Sequence, residues 1–269
     1  MAKLTTGKRR SSNNLLEVQN AAKTMFANIR FQSIDDPIKS IVITSTVPNE
    51  GKTTTMWYLA QAAATAGNRV LIVESDMRRR SIAKMLNLHS RYGIRAVLTG
   101  ECPLDKAVMQ TSVDGLYFLD AEPSIPNPAD LLASKSMRNF HERLKGSYDY
   151  IIFDTPPVGT FVDAAVLGSI TDGTILVVRP NSVRRAELLR AKEQLDSAGA
   201  NIIGICSTFV EGTGSEYYYS YYTKEEDTSN APAPVDAAPA PARPQVPDVP
   251  VKAVPTPKYP TPFGKHGAQ

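Results

Sequence analysis

The stretch IVITSTVPNEGKTTT, at residues 41–55, restricts the possible folds of this chain more than any other part of its sequence. Residues 41–43 are β-branched and apolar, which predicts a buried strand, and the segment after the threonines has the composition of a helix. A strand, a loop and a helix N-terminus therefore meet at Gly51-Lys52-Thr53. At such a junction backbone N–H groups can hold phosphate, while a lysine and a hydroxyl reach its oxygens or its metal.

The loop before this helix is predicted to bind a nucleotide. Lys52 is expected to reach the β- and γ-phosphates and to be mostly exposed beforehand, and the Thr53 hydroxyl is expected to bind Mg²⁺. The full phosphate-loop pattern has glycine where this chain has Thr46, so the match is partial. An ordinary helix start with threonine caps explains the threonines, but not a Gly-Lys pair directly after a buried strand. The predicted binding residues are Pro48, Asn49, Glu50, Gly51, Lys52, Thr53 and Thr54.

Acidic residues follow two other predicted strands. Glu74 and Asp76 come after the apolar residues 70–73, and Asp154 closes an apolar run that starts at Tyr150. Ligands of parallel α/β sheets bind outside the carboxyl ends of the strands, so acids placed there can face the metal of a nucleotide. Taken singly, such acids are also common in solvated turns. Together with the Gly-Lys-Thr loop upstream, they predict one metal–phosphate site.

The order of the predicted elements indicates an α/β fold. The alternation of strands and helices predicts a mostly parallel central sheet covered by helices on both faces, as in P-loop NTPases. The predicted strands lie at 41–43, 70–73, 116–119, 150–154, 174–178 and 202–206. The predicted helices lie at 15–31, 52–66, 135–145 and 183–199, with a further helix from Ala129 and short helices and turns over 81–110.

Composition limits the classes of partner. A net charge of +3 implies no nucleic-acid footprint. No apolar run is long enough to span a bilayer, so we expect a soluble, cytoplasmic protein without direct membrane insertion, and any membrane association must come through a partner. Cys102 and Cys206 form no C-x-x-C pair, which disfavours a zinc site or a disulfide scaffold.

The chain is predicted to contain four regions. Residues 1–12 form a disordered basic N-terminus, and 13–212 form the nucleotide-binding domain. Residues 213–230 are a tyrosine-rich segment, and 231–269 are a disordered tail rich in proline and alanine. Eleven of the twenty prolines lie in that last region, which is why it is expected not to join the packed domain.

A cluster of tyrosines follows the last predicted strand, and it holds five of the chain's eleven tyrosines within six residues. An aromatic strand edge is one interpretation, but glycines precede the cluster, acids follow it and no alternating pattern is present. A cluster of this kind beside a nucleotide site suggests a phosphorylation substrate. Its members are Tyr217, Tyr218, Tyr219, Tyr221 and Tyr222.

With these motifs the chain resembles the bacterial tyrosine kinases of capsular and exopolysaccharide biosynthesis. The resemblance covers about residues 15–222 and rests on ITSTVPNEGKTTT, VLIVESDMRRR, PSIPNPADLL, YDYIIFDTPPVGTFVDA, ILVVRP and the tyrosine cluster. Chromosome-partitioning and cell-division ATPases are the nearest rival class. Those proteins carry a lysine where this chain has Val47, which argues against them.

The resemblance implies an ATP- and Mg²⁺-dependent protein-tyrosine kinase that phosphorylates its own tyrosine cluster and regulates polysaccharide synthesis. In such a kinase Lys52 would hold the phosphates, and Glu74 would be the candidate base. Mg²⁺ would be held by Thr53, Asp76 and Asp154. A transmembrane activator, the polysaccharide chain-length protein, would complete the active kinase through its cytoplasmic tail, and a cognate tyrosine phosphatase would reverse the reaction.

Some positions depart from the family pattern. Glu74 stands where the family usually has Asp, and Thr208 lies near the usual place of an adenine-holding Asn. The family's E-x-x-R-x-x-R helix, which mediates ring assembly, is matched here by Asn20, Lys23 and Phe26, so at most a weak homo-oligomer is expected.

Two other functions stay open on the sequence alone. A P-loop ATPase switch would bind a membrane partner without phosphorylating tyrosine, and a scaffold would use the tyrosine- and proline-rich tail as a docking peptide. The tyrosine cluster favours the kinase, whereas Glu74 and the altered N-terminal helix leave room for the switch.

Overall fold

A seven-stranded sheet forms the centre of the protein in a computed structural model, which describes residues 6–32 and 36–210, with side chains from Leu15 onward. The strands are β1 (Ser40–Ser45), β2 (Val70–Glu74), β3 (Val108–Gln110), β4 (Leu116–Leu119), β5 (Tyr150–Asp154), β6 (Gly173–Val178) and β7 (Ile202–Ser207). Their order in space is β3-β4-β2-β5-β1-β6-β7. The helices are α1 (Thr6–Gln32), α2 (Lys52–Thr65), α3 (Ile82–Leu86), α4 (Ile94–Leu98), α5 (Leu104–Ala107), α6 (Pro128–Ala133), α7 (Lys135–Lys145), α8 (Asp163–Gly168) and α9 (Arg185–Ser197).

All neighbouring strands run parallel except β3 and β4, which pair antiparallel. The predicted α/β fold with a mostly parallel sheet is therefore confirmed. Strand β3 and helix α8 were not predicted, and α1 begins at Thr6 rather than at Leu15. In the sheet register Asp154 lies opposite Ile43 on one side and opposite Glu74 on the other, so the predicted site acids gather at one edge.

Alternate residues of the strands build two separate cores. Ile41, Ile43 and Ile72 pack with α1, α2 and α3, whereas Val42 and Leu71 pack with the layer formed by α4 to α9. Strands that are covered on both faces read as continuous apolar runs rather than as alternating patterns. The polar side chains that end these strands therefore lie at the edge of the sheet rather than on its faces.

Helix α1 packs on the sheet through Phe26, which matches a position of the family's assembly helix. Phe26 is only 5% exposed and meets Tyr150 edge-on, with 5.1 Å between the ring centroids. Lys23 is exposed and Asn20 is half-buried. Phe26 therefore belongs to the core of its own chain. Its ring is not available to contact another subunit in place of the arginine that the family has at this position.

The predictions for the chain's end lie outside the described residues. The chain divides into two units, Met1–Gly212 and Thr213–Gln269, and the second unit, which contains the tyrosine cluster and the proline-rich tail, falls wholly outside that range. Within residues 6–32 and 36–210, no helix combines the length and the apolar character that crossing a bilayer requires.

Candidate active site

The loop between β1 and α2 passes twice through left-handed backbone conformations. Asn49 has a φ of 68° and Gly51 a φ of 86°, and both residue types tolerate this region. A Cβ at Gly51 would lie 3.3 Å from the Thr208 side chain, which makes glycine the better fit there. Among the described residues no side chain caps the N-terminus of α2. The N–H groups of its first turn can therefore bind an anion such as phosphate.

Lys52, Thr53 and Asp154 form one hydrogen-bonded cluster beside this loop. The Lys52 Nζ lies 2.7 Å from Asp154 Oδ1, and the Thr53 hydroxyl donates to Asp154 Oδ2 at 2.8 Å. The Asp154 side chain is fully buried, and the Lys52 side chain is 11% exposed. The expectation that Lys52 would be mostly exposed is therefore wrong, because the buried carboxylate at the end of β5 takes the lysine as its counter-charge.

Glu74 is fully buried, and backbone donors hold its carboxylate. Its Oε2 accepts the N–H groups of Ser81 at 3.0 Å and Ile82 at 3.1 Å, and its Oε1 accepts the N–H of Asp76 at 3.3 Å. Burial, and after it the negative charge of Asp154, raises the pKa of Glu74 from 4.5 to about 8. The predicted base is thus a residue that joins the end of β2 to the start of α3.

Asp76 lies in the turn after β2, where backbone N–H groups reach its carboxylate. Its Oδ1 accepts the N–H of Arg79 at 3.0 Å. Burial raises the pKa of Asp76, while the N–H groups of Arg79 and Arg78 and the charge of Lys52 act in the opposite direction. Asp76 is 7% exposed, whereas Glu74 is not exposed at all, so Asp76 is the more accessible of these two acids.

Glu50 holds the phosphate loop in shape from inside the protein. Its Oε2 accepts the N–H groups of Thr46 at 2.8 Å and Val47 at 2.9 Å. Its Oε1 accepts the N–H of Arg179 at 3.0 Å and the hydroxyl of Ser182 at 3.2 Å. Glu50 is 1% exposed, so its carboxylate serves the loop, and only its backbone N–H stays a predicted phosphate ligand.

The end of β7 crosses the same loop. The Thr208 hydroxyl donates to the carbonyl of Glu50 at 2.6 Å, and the Arg179 guanidinium lies 4.4 Å from the ring centroid of Phe209. The Thr208 side chain also contacts the position of Gly51. Thr208 is therefore beside the phosphate loop, and its hydroxyl is already used by the loop backbone.

Two ion pairs that sequence reasoning missed fix the turn after Asp76. Arg78 pairs with Asp163, and Arg80 pairs with Asp120; both carboxylates are buried. Asp120 directly follows a predicted strand, the position that marks the other site acids, so the sequence held a signal for that pair. Asp163 lies in a helix that was not predicted, and its pairing had no such signal.

The site has the ligands that Mg²⁺ uses. Mg²⁺ keeps several waters and binds through one or two carboxylates together with substrate phosphates. The Thr53 hydroxyl and the Asp154 carboxylate already share a hydrogen bond, and the Asp76 carboxylate follows the neighbouring strand at the same edge of the sheet. Within the described part of the chain, no group of three or more His, Cys, Asp or Glu could hold a metal ion by itself. The residues present therefore fit an open Mg²⁺–nucleotide site rather than a closed metal cage.

Solved structures with the same architecture include kinases and ATPases. The kinase domain of the Escherichia coli tyrosine kinase ETK superposes with a TM-score of 0.67 at 26% identity, covering 72% of this chain and 78% of that one. The septum site-determining protein MinD from Pyrococcus horikoshii, complexed with Mg-ADP, superposes with a TM-score of 0.54 at 25% identity, covering 62% and 68%. The higher TM-score for the kinase agrees with the absence of a lysine at Val47, which argued against the cell-division ATPases.

Sequence comparison gives the same assignment. A family model described as an AAA domain matches residues 38–186. The tyrosine-protein kinase YwqD of Bacillus subtilis is 35% identical over 204 residues, which cover 76% of this chain and 86% of that protein. The chain therefore belongs to the family of bacterial protein-tyrosine kinases, which are built on a P-loop ATPase fold.

Proposed function

We propose that this kinase transfers the γ-phosphoryl group of ATP to the tyrosines at 217–222 of its own sequence, and thereby regulates capsular or exopolysaccharide synthesis. The observation that carries the proposal is the cluster of Lys52, Thr53 and Asp154, joined by contacts of 2.7 and 2.8 Å. Phosphoryl transfer depends on positioning and charge stabilisation more than on covalent chemistry. The cluster supplies both, and the tyrosine-rich segment supplies the acceptor.

The first turn of α2 and the ammonium group of Lys52 bind the phosphates of ATP. The N–H groups of that turn can donate to an anion, and Lys52 adds a positive charge. Thr53 and Asp154 would hold Mg²⁺, which would supply further positive charge to the phosphates. Glu50 holds the loop in this conformation through the four hydrogen bonds that its carboxylate accepts.

The transfer joins the tyrosine Oη to the γ-phosphorus, while the bond from that phosphorus to the β–γ bridging oxygen breaks. ADP leaves with the electron pair of the broken bond, and the tyrosine proton passes to a carboxylate. The family pattern indicates Glu74, but backbone N–H groups occupy both of its oxygens. Asp76 is 7% exposed, and its Oδ1 accepts the backbone N–H of Arg79. We therefore assign the proton to Asp76, and to Glu74 the role of holding the turn that carries it.

Regulation by partners completes the proposal. A transmembrane activator would hold the kinase at the inner face of the membrane through its cytoplasmic tail, and a cognate phosphatase would remove the phosphate. Self-association would be weak, because Asn20 and Phe26 do not supply the charges of the family's assembly helix. These points rest on family membership and on the sequence resemblance.

Incubation of the full chain with labelled ATP and Mg²⁺, followed by phosphotyrosine mapping, tests the proposal. The wild type should carry label within 217–222, and Lys52→Met should carry none, because the substitution removes the cation that faces the phosphates. Lys135→Met removes an exposed lysine of α7 and is the matched control, which should label normally. Label that persists in Lys52→Met, or that lies only outside the cluster, contradicts the proposal.

A further inference from the structure

Three arginines in a row follow the turn at the end of β2, and buried acids neutralise the first and the third. The Arg78 guanidinium pairs with Asp163, whose side chain is fully buried, and lies 4.2 Å from the ring centroid of Phe161. The Arg80 guanidinium pairs with Asp120, whose side chain is 3% exposed. Charge-assisted pairs of this kind hold both arginines in place.

The middle arginine, Arg79, differs from its neighbours. Its side chain is exposed, and no carboxylate of the described residues lies within ion-pair distance of it. Its backbone N–H donates to Asp76 Oδ1 at 3.0 Å and to the Asp76 carbonyl at 3.2 Å. Because ion pairs hold the residues on both sides, Arg79 is a cation on a fixed backbone, and that backbone is hydrogen-bonded to Asp76.

The interior of the site is rich in buried carboxyl groups. Asp154 is paired there with Lys52, Asp76 lies nearby, and Glu74 keeps its proton near neutral pH because its pKa is raised to about 8. The phosphates of ATP add further negative charge. A peptide that carries acidic residues would be repelled on entry unless a cation at the rim offset that field. Arg79 is placed where such a cation is needed.

The proposed acceptor segment is itself acidic. Glu216 directly precedes Tyr217, and Glu225, Glu226 and Asp227 follow the cluster. Every acceptor tyrosine in this segment therefore lies close in sequence to acidic residues. Selection among such peptides calls for a positive group next to the catalytic carboxylate.

We propose that Arg79 is a specificity-determining residue that binds the carboxylate of an acidic residue beside the acceptor tyrosine. This inference rests on the proposed tyrosine-kinase function and names the substrate class of the same site, which is acidic tyrosyl peptides. Arginine suits the task, because its planar guanidinium can pair with both oxygens of a carboxylate. The ion pairs of Arg78 and Arg80 hold the turn, so little backbone order is lost when the peptide binds.

The sharpest test uses a peptide that covers residues 213–227, with Tyr217 as its only tyrosine and the other four replaced by Phe. The peptide is made in three forms: with the native Glu216, with Glu216→Gln and with Glu216→Lys. The enzyme is the full chain with its own five cluster tyrosines changed to Phe, so that its tail does not accept phosphate. Wild-type Arg79, Arg79→Ala and Arg79→Glu forms are compared, and Arg190→Ala, which removes an exposed arginine of α9, is the matched control.

Arg79→Ala should lower kcat/KM for the native Glu216 peptide by about two- to fivefold, the range of an exposed ion pair. The loss should lie in the KM for peptide rather than in the KM for ATP. The Glu216→Gln peptide should be affected little by the same substitution in the enzyme. Arg79→Glu should reverse the preference, so that the Glu216→Lys peptide becomes the better substrate, while Arg190→Ala should follow the wild type throughout.

Three results would overturn the inference. Equal losses for the native and the Glu216→Gln peptides would assign Arg79 to the structure of the turn, and a raised KM for ATP would assign it to the phosphates. Unchanged kinetics would make it a solvated surface charge. If no form phosphorylates any peptide, the proposed function fails instead, and fluorescence anisotropy of the labelled peptides decides the inference separately. In that case equal affinity of wild type and Arg79→Ala for the native peptide refutes it.

Discussion

The buried carboxylate of Glu50 makes a quantitative prediction about the phosphate loop. Replacement by glutamine keeps the size of the side chain but exchanges one acceptor oxygen for an NH₂ donor. In one orientation the NH₂ group faces the N–H groups of Thr46 and Val47, and both lose their acceptor. In the other it faces the N–H of Arg179 and the hydroxyl of Ser182. A hydroxyl can turn and accept, so the second orientation costs less.

The expected loss of unfolding free energy follows from the second orientation of the glutamine side chain. The Arg179 N–H loses its acceptor, which costs about 1–3 kcal/mol for a buried donor. The bonds from Thr46 and Val47 change from charged to neutral acceptors, a loss of about 1 kcal/mol each. Removal of a buried charge offsets part of this sum. We expect the free energy of unfolding of Glu50→Gln to fall by about 2–4 kcal/mol, a large part of the roughly 5–15 kcal/mol typical of a domain.

Urea unfolding of the wild type, Glu50→Gln and Glu193→Gln measures this difference. Glu193 is an exposed glutamate of α9, and its substitution is the matched control, with an expected change within about 0.5 kcal/mol. ATP affinity should fall with Glu50→Gln as well, because the loop loses its internal support. A change in unfolding free energy below about 0.5 kcal/mol for Glu50→Gln would show that the four hydrogen bonds do not hold the loop, and the argument from burial would be wrong.

Two further predictions concern the acids of β2. In single-turnover phosphoryl transfer to a peptide, Asp76→Asn should lower the rate by about 10²–10⁴-fold, as expected for the loss of a general base. Glu74→Gln should lower the rate less. If Glu74→Gln lowers it more, the role of base returns to Glu74. The pKa of Glu74 is raised from 4.5 to about 8, so between these pH values the native state holds a proton that the unfolded chain has lost. Glu74 therefore stabilises the fold at low pH, and this contribution is lost as the pH rises through about 8. Free energies of unfolding, measured from about pH 5 to 9 without nucleotide, should therefore fall more steeply with pH for the wild type than for Glu74→Gln. The two slopes should differ by up to about 1.4 kcal/mol per pH unit below the raised pKa. Parallel curves for the two proteins would refute this prediction.

The sheet could be predicted from sequence because its parallel strands are buried on both faces. Runs such as those from Val70 and from Tyr150 are apolar up to the acid that ends each strand, and they stand between clear turn signals. Strand β3 was missed because its three residues are at most partly buried and gain their strand geometry by pairing with β4. Helix α8 was missed because it is short and follows a proline- and glycine-rich loop, and its first residue, Asp163, is placed by a distant arginine.

The parts of the site that depend on neighbouring residues in the sequence were also predictable. The sequence placed Lys52 and Thr53 at the start of a helix and Asp154 at the end of a strand, and the structure brings the three together. The inward orientation of Glu50 was not predictable, because its partners Arg179 and Ser182 come from a segment more than a hundred residues away. A loop residue beside a phosphate site gives no local sign that its side chain turns inward.

The ion pair between Lys52 and Asp154 links the two ligands of the site thermodynamically. When Lys52 moves to the phosphates of ATP, Asp154 is left as a buried charge without its cation, and such a charge is strongly destabilising. A divalent ion at Asp154 would remove that penalty, and the ion pair with Lys52 competes with the binding of such an ion to Asp154. Nucleotide and metal should therefore each raise the affinity for the other by the same factor. In a cell this coupling would make the kinase respond to the Mg²⁺ complex of ATP as a single ligand, and hardly at all to either component alone.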